Sequence, residues 1–129
     1  MKFSLEAISG ANVIHSYDEH YIIIRSKEYV DLQRLDSSLI LMPDRIISDW
    51  HIKDISQLEM SDVTELKNLD PEVLILAHGS SVYSLSPQLM VEFYAQSIGV
   101  ECMPLGAACR TYNLLVAEDR KVVLAVIFE

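Results

Sequence analysis

The sequence predicts an α/β fold with a mainly parallel central sheet, helices packed on it and an antiparallel β-hairpin region attached. In the second half, short apolar runs alternate with segments of helical periodicity, and the first half groups β-forming residues around polar turns. The apolar runs are Val73–Ala77, Val100–Met103 and Val122–Phe128. Because continuous apolar runs suit strands covered on both faces, and crossover connections are right-handed, we expect three neighbouring parallel strands.

The first half of the chain predicts the hairpin. Val13–Tyr17 and Tyr21–Arg25 are rich in β-forming residues and flank the polar turn Asp18–His20. Further extended segments are expected at Tyr29–Val30, Ser38–Met42 and Ile46–Trp50. The lone tryptophan at the end of the last segment is expected to fill the core.

Three helices are predicted in the rest of the chain. Ser61 is a suitable N-cap for a helix over Asp62–Asn68. The pair Ser86-Pro87 provides an N-cap and a proline at the first helical position, and Gly99 is expected to end that helix. The third helix is predicted over Ala107–Ala117.

Composition and charge limit the function classes. The 129 residues are expected to form a single domain, and half of them are hydrophobic. The formal net charge of −9 disfavours nucleic acid and anionic membrane surfaces as partners. We identify no secretory signal and no apolar run approaching the ~20 residues of a membrane span. With two cysteines, the sequence favours a cytoplasmic protein with free thiols over a disulfide framework.

Chemistry-bearing residues follow two of the predicted parallel strands. The segments His78–Leu85 and Pro104–Gly106 are expected as loops at the carboxyl ends, where ligands of such sheets bind. The residues predicted to bind a ligand or partner are His78, Gly79, Ser80, Cys109, Arg110, Thr111 and Asn113. No ligand spacing predicts a metal, and no motif predicts another cofactor.

Two residues of this set leave alternatives open. Arg110 is expected near a helix N-terminus, where a cation opposes the helix dipole, so it needs a partner. That partner is an internal carboxylate such as Glu118 or Glu101, a bound anion or another protein. Cys109 is either a nucleophile with His78 as base or an ordinary buried thiol, and we expect the thiol, so no catalytic residue is assigned.

Several stretches of the chain resemble a known family. They read SSLILMPDRIISDW, LILAHGSS, IGVECM and AACRTYNLLVAEDRKV, and the resemblance covers roughly residues 13–127. The chain is similar to the small domain-of-unknown-function family that contains mitochondrial complex I assembly factor 3 and the adipogenesis-associated domain protein. This resemblance implies a three-layered α/β fold and binding of assembly intermediates. Family members often have Met-Asp-Thr where Met103 is followed here by Pro104 and Leu105, which weakens a catalytic role at that strand end.

Two function classes follow from the sequence. The first is a non-catalytic protein-binding or assembly-factor-like module, with respiratory complex I assembly as one such role. The alternative is a small-molecule or anion-binding protein, or an enzyme, that uses the crevice. A deep pocket ringed by His78, Ser80, Cys109 and Arg110 would favour the alternative, and a filled crevice with an exposed apolar patch elsewhere would favour the first. A protein partner is expected, and a homo-oligomer is left open.

Overall fold

The chain folds into a mixed α/β structure with two sheets. The computed structural model describes residues 10–78 and 85–128. Its elements are β1 (Val13–Asp18), β2 (Tyr21–Arg25), β3 (Gln33–Leu35), β4 (Leu39–Met42), β5 (Arg45–Ile47), a 3-10 turn (Ile55–Gln57), α1 (Met60–Asn68), β6 (Val73–His78), α2 (Pro87–Tyr94), β7 (Gly99–Pro104), α3 (Leu105–Ala117) and β8 (Val122–Ile127). One sheet has the order β1-β2-β3 and the other β5-β4-β8-β6-β7.

Strand β6 lies in the middle of the parallel part of the larger sheet. It pairs in parallel with β7 on one side and with β8 on the other. The predicted parallel arrangement of the three apolar runs is therefore confirmed. On the far side of β8, strands β4 and β5 add antiparallel pairings, which makes the sheet mixed.

The larger sheet is buried on both faces, which explains why its central strands are apolar throughout. Successive residues of a strand point to opposite faces, and successive residues of β6 enter two different core clusters. Leu74 and Leu76 pack in the cluster that also contains residues of α1 and α2. Ile75 and Ala77 pack in the cluster formed with α3 and the small sheet. All four side chains have a relative exposure of 0%.

The small sheet differs from the prediction in its third strand. Strands β1 and β2 pair antiparallel, with an irregular register between Ile14 and Ser16. Strand β3 pairs with β2, although its short Gln-Arg-Leu sequence gave no β signal. The predicted extended segment at Tyr29–Val30 is wrong, since these residues lie outside any strand and are exposed. Trp50 follows β5 and is buried in the core, as expected.

The helix boundaries also differ from the prediction. Helix α1 begins at Met60 rather than after Ser61, and the Glu59 amide donates to Asp62 Oδ2 at 2.9 Å. Helix α2 begins at Pro87 as expected but ends at Tyr94. The left-handed residue that follows α2 is Ser97, with φ 60°, so the assignment of Gly99 as the helix stop is wrong.

The predicted loop Pro104–Gly106 does not form. Strand β7 extends through Pro104, and α3 begins at the next residue, Leu105. Pro104 has extended backbone angles, φ −62° and ψ 156°, which suit both a strand end and a helix N-cap. The early start of α3 matters for the site because it moves Arg110 away from the helix terminus.

Candidate functional site

A cavity of about 700 Å³ opens at the carboxyl ends of the parallel strands. Strands β6, β7 and β8 end at His78, Pro104 and Ile127, and each of these residues lines it. The complete described lining is Tyr17, Asp18, Glu19, His20, Asp36, His78, Pro104, Leu105, Gly106, Ile127 and Phe128. This carboxyl-edge cavity lies where ligands of open α/β sheets usually bind.

The carboxyl-edge cavity has an apolar and an acidic part. The apolar wall consists of Pro104, Leu105, Ile127 and Phe128, contributed by the parallel strands and the start of α3. The acidic rim consists of three exposed residues, namely Asp18 at the end of β1, Glu19 in the turn that follows, and Asp36 in the loop after β3. No lysine or arginine is among the described lining residues. The cavity therefore combines apolar surface with negative charge.

Tyr17 crosses the start of α3 at the edge of this cavity. Arg110 Nη1 donates a hydrogen bond to the Tyr17 hydroxyl, with a donor–acceptor distance of 2.7 Å. Gly106 leaves room for this contact, because a Cβ there would lie 3.2 Å from two Tyr17 atoms and 3.3 Å from Arg110 Nη1. Arg110 thus holds a side chain of the cavity lining without lining the cavity itself.

The helix-dipole argument for Arg110 is wrong. Helix α3 begins at Leu105, which makes Arg110 its sixth residue, and the dipole effect is concentrated in the first turn. Within residues 10–78 and 85–128, no carboxylate forms an ion pair with Arg110, so neither Glu101 nor Glu118 does. Its hydrogen-bonding partner there is the hydroxyl of Tyr17.

Other polar residues of α3 connect the helix to β1. Asn113 Nδ2 donates to the Ile14 carbonyl at 2.8 Å, and its Oδ1 accepts from the Ile14 amide at 2.9 Å. The buried Tyr112 hydroxyl donates to the Asn12 carbonyl at 2.9 Å. Burial raises the pKa of Tyr112, and the nearby Asp44 charge raises it further. Arg110, Tyr112 and Asn113 therefore connect α3 to β1 and to the residue just before it.

The thiols are poor nucleophiles at neutral pH. Cys109 is 1% exposed, and burial raises its pKa to about 12 despite the opposing effect of the Arg110 charge. Burial also raises the pKa of the half-buried Cys102, more than a hydrogen bond with the Leu85 backbone lowers it. Cys109 packs in the core cluster beside Ala108 and does not line the carboxyl-edge cavity.

Comparison with known proteins places the chain in a family. Residues 14–127 match the family described as "Protein of unknown function (DUF498/DUF598)". This chain belongs to that family. The resemblance drawn from the sequence is thereby confirmed.

The DUF498/DUF598 chain has relatives of known name and structure. Over 85 residues it is 26% identical to a Xenopus tropicalis protein named NADH dehydrogenase [ubiquinone] 1 alpha subcomplex assembly factor 3, covering 64% of this chain but 46% of that relative. A Xanthomonas campestris structure solved by NMR is 29% identical, with a TM-score of 0.79 over 98% of this chain and 92% of the other. A Bordetella parapertussis crystal structure is 28% identical, with a TM-score of 0.79 over 93% and 98%.

A further structure supports the fold alone. A Bordetella pertussis protein described as a Mth938-like domain is 24% identical, with a TM-score of 0.75 over 98% of this chain and 90% of the other. The α/β class that the sequence predicts is therefore shared with several solved structures, although the central sheet is mixed rather than mainly parallel.

In this DUF498/DUF598 chain the predicted site residues separate into two groups. His78 is buried at the end of β6 and lines the cavity. Four predicted residues of α3 are absent from the described lining, namely Cys109, Arg110, Thr111 and Asn113. The predicted Gly79 and Ser80 lie outside the described residues.

Sequence reasoning did not identify most of the cavity. The turn Asp18–His20 was predicted, but its position over the carboxyl edge of the other sheet was not. Asp36 and Phe128 carried no signal, because nothing in their local sequence distinguishes a rim residue from any other surface or strand-end residue. A prediction of how the two sheets pack would have been needed to find them.

Among residues 10–78 and 85–128, no three His, Cys, Asp or Glu side chains are grouped so that they could hold a metal ion. No helix in the described part of the chain combines the length and apolarity needed to cross a bilayer.

Proposed function

We propose that this protein is a non-catalytic, protein-binding module of the assembly-factor type, and that its partner docks at the carboxyl-edge cavity. The observation that carries the proposal is the cavity itself, which joins an apolar wall to an exposed polar rim at the edge where α/β sheets bind ligands. The name of the Xenopus tropicalis relative supports an assembly role.

Binding is favoured over catalysis by what the reactive groups do. The thiol of Cys109 is buried, its pKa is raised by that burial, and it does not line the cavity, all of which argue against it as the nucleophile of the enzyme alternative. The amide of Asn113 and the hydroxyl of Tyr112 are engaged by the backbone of the small sheet. These groups therefore stabilise the fold, while the surface left for recognition is the cavity and its rim.

The relative directs the choice of partner. Its name concerns assembly of NADH dehydrogenase, so subunits of that enzyme before assembly are the first candidates for the partner. Because the match spans 46% of the relative, the partner's identity is part of the proposal. We also propose that the chain forms one three-layered domain with the hairpin region attached, and that it acts in the cytoplasm.

Site-specific photo-crosslinking tests this function. A photoreactive phenylalanine analogue replaces Asp36 on the acidic rim in one variant and Glu65 on α1 in another. Both positions are exposed, and α1 contributes no residue to the cavity lining described above. After irradiation in the native cells, we expect one protein adduct at position 36 and none at position 65.

The same experiment contains the result that refutes the proposal. Adducts of equal yield at both positions would indicate random collisions rather than docking at the cavity. Absence of any protein adduct at position 36, in cells that produce the folded variant, would contradict protein binding there.

A small-molecule ligand is the second candidate, because a volume of about 700 Å³ lies within the range of ligand pockets, roughly 300–1,000 Å³. The open cavity is the feature this alternative requires, although Cys109 and Arg110 do not ring it. An anionic ligand is disfavoured, because the acidic rim of the described lining would repel it. Native mass spectrometry of the protein purified without denaturation distinguishes the candidates, since a retained small molecule adds a fixed mass that disappears on unfolding.

A further inference from the structure

We infer that the carboxyl-edge cavity recognises its partner through a lysine or arginine side chain flanked by apolar residues. This inference rests on the proposed function and names the chemistry of the partner segment. It follows from two properties of one cavity: an acidic rim that has no lysine or arginine among the described lining residues, and an apolar wall beside it.

The rim carboxylates are available to an incoming cation. The side chain of Asp36 makes no hydrogen bond or ion pair within the described part of the chain. Asp18 Oδ1 accepts a bond from the adjacent Glu19 amide at 2.7 Å, which leaves its second oxygen for a ligand. The Glu19 carboxylate lies 3.9 Å from His20 Nε2, and both side chains are more than 80% exposed, with values of 88% and 84%.

Within the described residues, no lysine or arginine forms an ion pair with a carboxylate of the acidic rim. Lys67 pairs with Glu92, and Arg120 with Glu72, both away from the cavity lining. Arg110 faces the hydroxyl of Tyr17 rather than a rim carboxylate. Three carboxylates that line one cavity therefore have no lysine or arginine partner among the described residues, and a positively charged ligand in the cavity would be attracted by them.

The apolar wall determines what should surround the positive charge. Leu105 is 9% and Ile127 2% exposed, so the wall offers a limited apolar area at the base of the rim. Lysine and arginine place a long aliphatic stem on apolar surface while the charged group reaches polar surroundings. A neighbouring leucine or phenylalanine of the same segment would cover the rest. Peptide therefore fits better than a polyamine, which has no apolar flank.

Binding of defined peptides to the full chain tests the inference. The probes are fluorescein-labelled, acetylated and amidated hexapeptides with the same Leu and Phe flanks and a central lysine, norleucine or glutamate, and a fourth has lysine between glycines. Norleucine keeps the aliphatic stem of lysine and removes its charge. We expect anisotropy titrations to give the affinity order lysine, norleucine, glutamate, with the glycine-flanked peptide weaker than its Leu/Phe counterpart.

Neutral variants locate the charge effect. Asp36→Asn and Asp18→Asn should each lower the affinity for the lysine peptide by about 1.5- to 5-fold, the range of an exposed ion pair. Neither variant should change the affinity for the norleucine peptide. Glu65→Gln changes the net charge of the protein by the same amount, but on α1, which contributes no described residue to the cavity lining. It should leave the affinity for both peptides unchanged. Raising the salt concentration should weaken only the lysine peptide.

The possible results separate this inference from the proposed function. Equal affinity of the lysine and norleucine peptides, or equal effects of Asp36→Asn and Glu65→Gln, would overturn the inferred cation recognition. Equal affinity of the glycine-flanked peptide would overturn the role of the apolar wall, and no binding by any peptide would overturn the inference as a whole. In each case a protein adduct at position 36 would leave the proposed function standing, and its absence would remove both.

Discussion

Replacing Asn113 by alanine should destabilise the fold measurably, because this side chain satisfies both backbone groups of Ile14. The two hydrogen bonds are 2.9 and 2.8 Å long and join residues 99 positions apart in the chain. Each bond contributes about 0.5–1.5 kcal/mol. Alanine regains about 0.6 kcal/mol of helix propensity relative to asparagine. The net loss should be about 0.5–2.5 kcal/mol in the free energy of unfolding.

The expected loss is large enough to measure by heat and by denaturant. For a chain of this length 1 kcal/mol corresponds to about 4 °C, so Tm should fall by about 2–10 °C. Urea titrations should show a lower midpoint at an unchanged m-value. Asn113→Asp, which keeps an acceptor for the Ile14 amide but turns a carboxylate oxygen towards the Ile14 carbonyl, should destabilise at least as much at neutral pH.

A matched variant separates the hydrogen bonds from helix propensity. Asn68 is exposed at the end of α1, and its side chain makes no hydrogen bond with the described residues. Asn68→Ala should therefore leave stability unchanged or raise it slightly. If Asn113→Ala is as stable as Asn68→Ala, the reasoning that α3 anchors the small sheet through Asn113 is refuted.

Three further predictions follow from the same helix. Because burial raises the pKa of Cys109 to about 12, its thiol stabilises the fold below the pKa of a free cysteine, about 8.5, and this contribution disappears as pH rises towards 12. In Cys102→Ala the remaining native thiol should be labelled at pH 8 only as fast as the protein unfolds, and rapid labelling near pH 6 would contradict its burial. Tyr112→Phe leaves the buried Asn12 carbonyl without its donor, so the free energy of unfolding measured in urea should fall by about 1–3 kcal/mol. The control Tyr94→Phe, at a residue 55% exposed, should change it by less than about 0.5 kcal/mol. Equal losses in the two variants would refute the role of the buried hydroxyl. Arg110→Ala should lose less than about 1 kcal/mol in the same titrations, since its bond is exposed and to a neutral hydroxyl, and a loss of 3–5 kcal/mol would instead reveal a buried carboxylate partner.

The parallel core could be predicted because its signal is local. Runs such as Val73–Ala77 are apolar at every position, and only burial on both faces of a sheet accounts for that pattern. The start of α2 could also be predicted from local sequence, since Ser86 and Pro87 have backbone preferences that favour a helix N-terminus. The position of the cavity followed from the parallel strands, whose carboxyl ends share one edge.

The site's composition could not be predicted because it depends on contacts distant in sequence. Tyr17 and Arg110 are 93 positions apart, and neither residue's neighbours indicate the other. Pro104 was assigned to a loop between the predicted strand and the predicted helix, yet it ends β7 and is followed directly by α3. That single misplaced boundary produced the wrong dipole argument for Arg110.

Docking of a protein partner at the carboxyl-edge cavity is tested most directly by hydrogen exchange. The chain is measured alone and in complex with the purified protein that crosslinks at position 36. The account predicts slower amide exchange on complex formation in peptides covering Tyr17–His20 and Leu105–Gly106, with unchanged exchange in Met60–Asn68. Protection confined to Met60–Asn68 or to the exposed loop Tyr29–Leu32, with none around the cavity, would contradict it.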